Sequence, residues 1–305
     1  MTAQLFSTPS LRADGYTYYD VRRLLRDGML TSVRRGTYVV GELPDDAAAR
    51  HRVAVLAAVG ELGAGAVVSH VSAAVLHRLP IWSIPLNRVH ITRSRANGAR
   101  RSRYVQMHGA TLNPGEIVTV DGVLVTSPAR TVVDLARTVP FEQAVVVADA
   151  ALAVGLVDTE GLGEVLERLV RRRGIPLARR AAAFADARTE SVGESRSRVA
   201  IARAGLPPPE LQWVVRDEAG QLVGRTDFAW PDHGVIGEFD GQIKYGRLLR
   251  PGQSPGDVIF AEKIREDQLR DERWEVVRWT WPDLAAFEAV VSRWLRAKQR
   301  SRRNW

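Results

Sequence analysis

A strand, a four-residue turn and a returning strand between residues 223 and 240 constrain the fold more than any other sequence feature. Alternating residues from Val223 to Trp230 predict the first strand, Pro231-Asp232-His233-Gly234 predicts the turn, and Val235 to Asp240 predicts the second strand. With a four-residue turn, Trp230 pairs with Val235. The pattern therefore predicts an antiparallel hairpin with a defined register.

Three carboxylates fall on one face of this predicted hairpin. In the register above, Asp227 lies directly opposite Glu238, and Asp240 shares the face of Glu238 because alternate residues point the same way. Like charges that face each other destabilise a sheet, and a divalent cation removes the repulsion. We therefore predict a Mg²⁺ or Mn²⁺ site of Asp227, Glu238 and Asp240, with Glu194 as a fourth metal ligand and Lys244 as a nearby cation.

Each of these acids also has an ordinary structural interpretation. Glu194 can pair with Arg198 one helical turn later, and Asp240-Gly241 is also a turn sequence. A register slip of one residue would turn Asp227 to the other face of the sheet. The metal site therefore depends on the predicted register.

Positive charge is clustered along the chain. The 305 residues include 43 Lys plus Arg against 35 Asp plus Glu, a formal charge of +8. Six arginines and no acid lie between Arg88 and His108, and five arginines, one lysine and no acid lie between Val291 and Trp305. Such clusters are typical of nucleic-acid-binding proteins, and the alternative is a solvated, arginine-rich surface.

Several classes of protein are excluded or disfavoured by composition. The chain has no cysteine, so it has no disulfide, thiolate metal site, iron–sulfur cluster or cysteine nucleophile. No signal-peptide pattern occurs, and the most apolar stretch, residues 144–157, is shorter than the ~20 residues of a membrane span. We therefore predict a cytoplasmic protein with no membrane partner. The sequence indicates no oligomeric state.

The six histidines do not predict a zinc site. His70 and His77 lie in one predicted helix over residues 67–79. Two helical turns, or ~10 Å of rise, separate them, which is too far for one metal. We expect both to be packed or capping groups.

The N-terminal segment predicts a small helix and a basic hairpin. Thr17 is a capping residue for a helix over residues 18–26, and two strands, 30–33 and 37–40, flank the turn Arg34-Arg35-Gly36. A helix followed by a basic hairpin is typical of a winged helix, whose helix enters the major groove while the hairpin reaches phosphate. The predicted DNA-binding residues are Arg22, Arg23, Arg26, Arg34 and Arg35.

The whole chain predicts a multi-domain α/β protein. We expect a winged-helix-like domain over residues 1–45, a mixed α/β middle domain over 46–185, and a third domain over 190–305. Lys263 and Arg270, on a charged helix of the last domain, are further candidates for DNA contact, although this helix is also explained as a salt-bridged surface.

The C-terminal third resembles the PD-(D/E)XK nuclease superfamily, and more narrowly the domain family of unknown function related to very-short-patch-repair endonucleases. The resemblance covers about residues 190–284. It lies in the segments Glu194-Ser195, Arg225-Thr226-Asp227-Phe228-Ala229-Trp230, Gly237-Glu238-Phe239-Asp240-Gly241, Glu262-Lys263, Asp267-Gln268-Leu269-Arg270 and Trp274 to Trp281.

This resemblance implies a restriction-endonuclease-like α/β/α fold and Mg²⁺-dependent hydrolysis of phosphodiester bonds. Glu194, Asp227 and Glu238 would hold the metal, which activates water, while a lysine positions that water. Asp240 occupies the usual lysine position, and Lys244 or Gln242 would have to replace it. The alternative is a degenerate nuclease fold in a non-catalytic regulator.

The N-terminal half resembles the AbiEi-type antitoxin and regulator family. The similar segments are Gly15 to Val40, Val68-Ser69-His70-Val71-Ser72-Ala73-Ala74, and Thr126 to Ala136. This resemblance implies a winged helix that binds promoter DNA, followed by a second domain. We therefore expect double-stranded DNA as the partner, with an RNA-processing role as another alternative.

Overall fold

The chain divides into two compact units. The computed structural model describes residues 4–60, 62, 65–93, 103–241 and 264–301. The N-terminal unit is Met1–Ala185 and the C-terminal unit is Asp186–Trp305. Both combine helices with β-sheets, so the protein is a mixed α/β protein. Within the described ranges, no helix is both long and apolar enough to cross a membrane.

The N-terminal unit begins with a small helix-and-sheet module. Its elements are β1 (Leu5–Ser7), α1 (Thr8–Ala13), α2 (Tyr18–Arg26), β2 (Leu30–Arg34) and β3 (Thr37–Val40). The antiparallel sheet has the order β1-β3-β2, and a small core of Leu11, Val21 and Leu30 joins it to the helices. The predicted helix over 18–26 and strand over 37–40 are confirmed, whereas β1 and α1 were not predicted.

The rest of the N-terminal unit contains a five-stranded sheet, whose strand order is β6-β5-β4-β8-β7. The strands are β4 (Val67–Val68), β5 (Val89–Arg93), β6 (Val105–Gly109), β7 (Ile117–Val120) and β8 (Val123–Thr126). The helices are α3 (Ala47–Val59), α4 (His70–Leu76), α5 (Pro128–Ala136), α6 (Phe141–Ala153), α7 (Thr159–Arg168) and α8 (Ile175–Phe184). The pairing of β5 with β6 is parallel, so equivalent residues of the two strands point to the same side.

The single helix predicted over residues 67–79 is wrong. Val67 and Val68 form β4, which pairs with both β5 and β8, and α4 begins only at His70. Two β-branched residues fit a buried central strand better than a helix, because both of their faces pack in the core. His70, at φ +54°, turns the backbone from the strand into the helix.

The C-terminal unit is a four-stranded sheet with helices on both faces. Its elements are α9 (Val192–Arg203), β9 (Glu210–Arg216), β10 (Leu222–Trp230), β11 (Val235–Phe239), α10 (264–271), β12 (Glu275–Trp279) and α11 (Glu288–Ser301). The strand order is β12-β11-β10-β9, with β11 and β12 parallel. One face packs against Ile201 of α9 and Trp294 of α11, and the other against Leu269 of α10.

Candidate functional site

The hairpin of β10 and β11 has the predicted register. Trp230 pairs with Val235 and Phe228 with Gly237, so the next positions, Asp227 and Glu238, lie opposite each other. Since Phe228 packs on the face of α9 and α11, these two acids lie on the face of α10. The prediction that Asp227 and Glu238 share one face is confirmed.

Glu238 is paired with two arginines from later elements. Its Oε1 accepts a hydrogen bond of 2.6 Å from Arg265 Nη2 of α10, and its Oε2 accepts one of 3.0 Å from Arg278 Nε of β12. The carboxylate is largely buried, so these two bonds compensate most of its charge. On the opposite strand, Oδ2 of Asp227 accepts the Phe239 backbone N–H at 2.9 Å. The repulsion that motivated a metal is therefore relieved by arginine.

Glu194 is held at the start of α9 by hydrogen bonds. Its Oε2 accepts the Glu190 backbone N–H at 3.0 Å and the Gln212 side-chain amide at 2.9 Å, while its Oε1 accepts the Ser191 hydroxyl at 2.7 Å. Ser191 Oγ in turn accepts the Glu194 backbone N–H at 3.1 Å and so caps the helix. The Ser-x-x-Glu sequence at 191–194 would have predicted this role.

The predicted metal ligands do not form a compact cluster. No three of Glu194, Asp227, Glu238 and Asp240 have oxygen atoms within 4.8 Å of one another, whereas one histidine group in the described chain meets that distance. Asp240 follows β11 and donates its backbone N–H to Trp279 at 2.8 Å. A Mg²⁺ site made by these acids therefore stays a prediction. Lys244, Gln242 and Lys263 lie outside the described residues.

Arg270, the other residue predicted on α10, is exposed and ion-paired. It bonds to Glu266 of the same helix and lies 3.6 Å from Asp267. Glu266 also pairs with Arg278 of β12 at 2.9 Å. These contacts form the salt-bridged surface that was the alternative to DNA contact.

The second helix of the N-terminal module presents a basic, aromatic surface. Arg22, Arg23 and Arg26 are exposed, as are Tyr18 and Tyr19, at 64% and 82% of their surface. The guanidinium group of Arg22 lies 5.9 Å from the centre of the Tyr18 ring. Because Val21 anchors the opposite side of α2 in the core, this face is directed to solvent.

The hairpin beside this helix carries the two predicted wing arginines at its turn. Arg35 is exposed and Arg34 is half-buried, and Gly36 adopts φ +77°, which a side chain would strain. The three arginines of α2 and Arg35 therefore lie on exposed positions of one small module. We call α2 with the β2–β3 turn the basic module.

The clearest cluster of potential metal ligands lies elsewhere, on the five-stranded sheet. His70 begins α4, His90 lies in β5, and His108 lies in β6. Because β5 and β6 are parallel with Thr92 opposite His108, the two strand histidines lie near each other on adjacent strands. The conclusion that the histidines are too scattered for a metal site is wrong for these three, which we call the histidine trio.

The trio is closely packed. His108 Nε2 lies 3.2 Å from His90 Nδ1, and the ring of His70 stacks on that of His108 with centroids 3.6 Å apart. His70 is fully buried, while His90 and His108 are partly buried. Burial lowers the pKa of His70 well below 6.5 and, with the nearby His108, lowers that of His90 to about 3. The rings of His70 and His90 are thus in a setting that favours neutral imidazole.

His77 does not join the trio. It caps the C-terminal end of α4, and its Nε2 donates to the Thr126 carbonyl at 2.8 Å. The expectation that His70 and His77 are packed or capping groups is confirmed, since His70 is buried and His77 is the C-terminal cap of α4. Alternating residues over 88–92 and 104–108 predict a strand around each of His90 and His108, but the pairing of these two strands is not apparent from the sequence.

A buried ion network lies next to the trio on α5. Asp134 accepts Arg130 Nε at 2.9 Å and Arg137 Nε at 2.8 Å. Arg130 also donates to Glu116 at 3.0 Å. Arg137 Nη2 then donates to Nε2 of His70 at 3.5 Å, which links the network to the trio. Two acids and two arginines balance each other here in a region almost without solvent.

The fold and these sites define a two-unit α/β protein with an exposed basic module and a packed histidine trio. Comparisons place it beside two uncharacterized proteins of Mycobacterium tuberculosis, MT2308 and Rv2248. Each is 33% identical over 158 residues, which is 52% of this chain and 55% of the relative. The chain therefore spans about half the length of the curated relatives it matches. No family model matches it.

A solved structure with some similarity is the crystal structure of the RV2827C protein from the same species. Its TM-score is 0.38 at 16% identity, covering 70% of this chain and 83% of that chain.

Proposed function

We propose that the protein binds double-stranded DNA through its basic module. The observation that carries the proposal is the exposure of Arg22, Arg23 and Arg26 on one helix, beside a hairpin with Arg35 at its turn. Arginines on a helix and on an adjacent hairpin can neutralise phosphates on either side of a groove. The module is thus suited to bind duplex DNA through the phosphate backbone of the DNA.

The topology of the module supports a winged-helix role. Two short helices, α1 and α2, are followed by the β2–β3 hairpin, and β1 completes a sheet of order β1-β3-β2. In helix-turn-helix proteins the second helix lies in the major groove, and the first crosses the backbone. In this arrangement α2 is the recognition helix. Tyr18 and Tyr19, near its N-terminus, are the exposed residues nearest to base edges.

A binding assay with matched charge variants tests the proposal. The first variant combines Arg22→Gln, Arg23→Gln and Arg26→Gln. The control combines Arg171→Gln, Arg173→Gln and Arg179→Gln, which removes the same charge from exposed positions elsewhere in the N-terminal unit. Fluorescence anisotropy with a labelled duplex should show weaker binding for the first variant and near wild-type binding for the control. Equal losses would mean that binding depends only on total charge.

We propose hydrolysis of phosphodiester bonds as the second candidate function, located at Asp227 and Glu238. The observation that favours it is the register, which places the two carboxylates opposite each other in a sheet with helices on both faces. That layering is compatible with the restriction-endonuclease-like fold that the family resemblance implies. A metal bound here would have to compete with Arg265 and Arg278 for Glu238. The non-catalytic regulator is therefore the better supported of the two.

A plasmid nicking assay with Mg²⁺ or Mn²⁺ separates the two functions. If the C-terminal unit is a nuclease, wild-type protein nicks the plasmid, and Asp227→Ala or Glu238→Ala abolishes nicking. The control is Glu218→Ala, an exposed acid in a turn of the same sheet. If the wild type does not cleave, or if cleavage is equal in all variants, hydrolysis at this site is refuted while DNA binding is unaffected.

A further inference from the structure

We propose that His70, His90 and His108 bind one divalent transition-metal ion, with Zn²⁺ as the preferred ion. This proposal goes beyond DNA binding and does not depend on it. It concerns a different set of residues from the carboxylates of the C-terminal unit. Three imidazoles with one open position form a recurrent type of zinc site.

The spacing of the two strand histidines fits an ion. In a tetrahedral site with Zn–N distances of about 2.0–2.1 Å, two ligand nitrogens lie about 3.3 Å apart. His90 Nδ1 and His108 Nε2 are 3.2 Å apart. The parallel pairing of β5 with β6 therefore already holds these two ligands at the spacing that the ion requires.

His70 supplies the third nitrogen. One ring nitrogen from each of the three histidines lies within 4.8 Å of the other two. The His70 ring, which stacks on His108, would turn about its Cβ–Cγ bond to direct its nitrogen to the ion. The movement is that of one side chain, since the backbone already places the ring in the cluster.

The hydrogen bonds of His70 place its lone pair on Nε2, where an ion would replace the 3.5 Å hydrogen bond from Arg137. A guanidinium group only donates, so Nε2 of His70 accepts from Arg137 and carries a lone pair. The proton is then on Nδ1, which donates to the Ser69 hydroxyl at 3.0 Å. Thr92 donates to the same hydroxyl at 2.8 Å and fixes it. Metal-binding histidines usually have such a partner on the second nitrogen, which orients the ring.

The backbone at His70 is strained, which is a second and independent observation. His70 adopts φ +54°, a left-handed conformation that is unfavourable for residues other than glycine. Such strain persists where the surrounding structure fixes it, often at ligand-binding sites. Here it directs the ring of the first residue of α4 onto the ring of His108.

The charges around the trio are compatible with a cation. Arg137, which donates to His70, is balanced by Asp134 at 2.8 Å, and Arg88 is the charged group that acts on His90. Arg130, deeper in the network, is balanced by Asp134 and Glu116. The ion would therefore lie beside a network whose charges are largely compensated. Imidazole ligands favour zinc, copper, nickel and iron over magnesium or calcium.

One position on the ion is left for water or another small ligand. His90 and His108 are only partly buried, so solvent reaches the trio from their side. A zinc ion with three histidines and an exposed fourth position is the arrangement found in catalytic rather than structural zinc sites.

A metal titration of the full-length protein tests the proposal. The chain is first treated with a chelator and then titrated with Zn²⁺ in competition with a coloured indicator. We expect one equivalent to bind, and Co²⁺ in its place should give the visible absorption of a four-coordinate, nitrogen-bound ion. Failure of wild-type protein to bind one equivalent, or a six-coordinate Co²⁺ spectrum, would overturn the proposal without any variant.

Variants then assign the ligands. His90→Gln and His108→Gln should each lose stoichiometric Zn²⁺ binding, with circular dichroism confirming that the chain is folded. His77→Gln is the matched control, because His77 is also partly buried and hydrogen-bonded but lies outside the trio. If binding is retained in both trio variants, or lost equally in the control, the ion binds elsewhere and the assignment is wrong.

Discussion

The buried network on α5 makes a strong prediction about stability. Asp134 has no exposed surface, and it accepts one charge-assisted hydrogen bond from each of Arg130 and Arg137. The substitution Asp134→Asn keeps the size of the side chain but removes its charge. Arg130, only 1% exposed, would retain Glu116 as its single acidic partner. Breaking a buried ion pair by removing one partner costs about 3–5 kcal/mol, since a charge is left uncompensated.

Urea unfolding followed by far-UV circular dichroism measures this loss. With a slope of about 2 kcal/mol per molar urea, a loss of 3 kcal/mol lowers the midpoint by about 1.5 M. The matched control is Glu164→Gln, which breaks an exposed helical pair with Arg168 and should cost about 0.3–0.5 kcal/mol. A cost below about 1 kcal/mol for Asp134→Asn would refute the view that this network is a desolvated and mutually dependent set of charges.

Three further predictions concern other parts of the fold. Ser69→Ala should weaken Zn²⁺ binding about 10–100-fold in the competition titration, because the His70 ring loses its orienting partner. Burial lowers the pKa of His51 and His77 below 6.5, so the unfolded chain takes up their protons first as pH falls. The free energy of unfolding should be constant above pH 6.5 and should decrease as the pH falls below 6.5, by up to about 1.4 kcal/mol per pH unit for each histidine. In urea titrations, His77→Gln should show a shallower pH dependence than the wild type. Gly193→Ala should lower the thermal midpoint, because the new methyl group would lie 1.9 Å from the Phe239 ring, and an unchanged midpoint would contradict that packing.

The hairpin of the C-terminal unit was predictable because its information is local. The alternating strands and the four-residue turn fixed the pairing of Trp230 with Val235, and with it the shared face of Asp227 and Glu238. The partners of Glu238 were not predictable in the same way. Arg265 and Arg278 come from α10 and β12, and nothing in their spacing indicated that both would reach one carboxylate.

The histidine trio was missed for a related reason. Each strand histidine lay in a predicted strand, but the parallel pairing of β5 with β6 is a long-range contact that periodicity does not encode. The prediction of one helix over 67–79 also hid β4, which places His70 at the start of α4. Local patterns therefore indicated the elements, and tertiary pairing created the site.

The sequence predicted the elements of the basic module, but not the strand that completes its sheet. The Thr17 cap and the Arg34-Arg35-Gly36 turn predicted α2 and the hairpin. The strand β1, which completes the sheet beside β3, was not predicted because three residues are too few to show alternation. Its pairing with β3 gives the module the sheet order that supports a winged-helix role.

The salt dependence of DNA binding tests the central claim most directly. Each phosphate that an arginine neutralises adds about 0.9 to the negative slope of the logarithm of affinity against the logarithm of salt concentration. The account predicts that replacing Arg22, Arg23 and Arg26 with glutamine makes this slope shallower by about 3. The control with Arg171, Arg173 and Arg179 replaced should keep the wild-type slope. Identical slopes for the two variants, or a flat dependence for the wild type, would contradict DNA binding through α2.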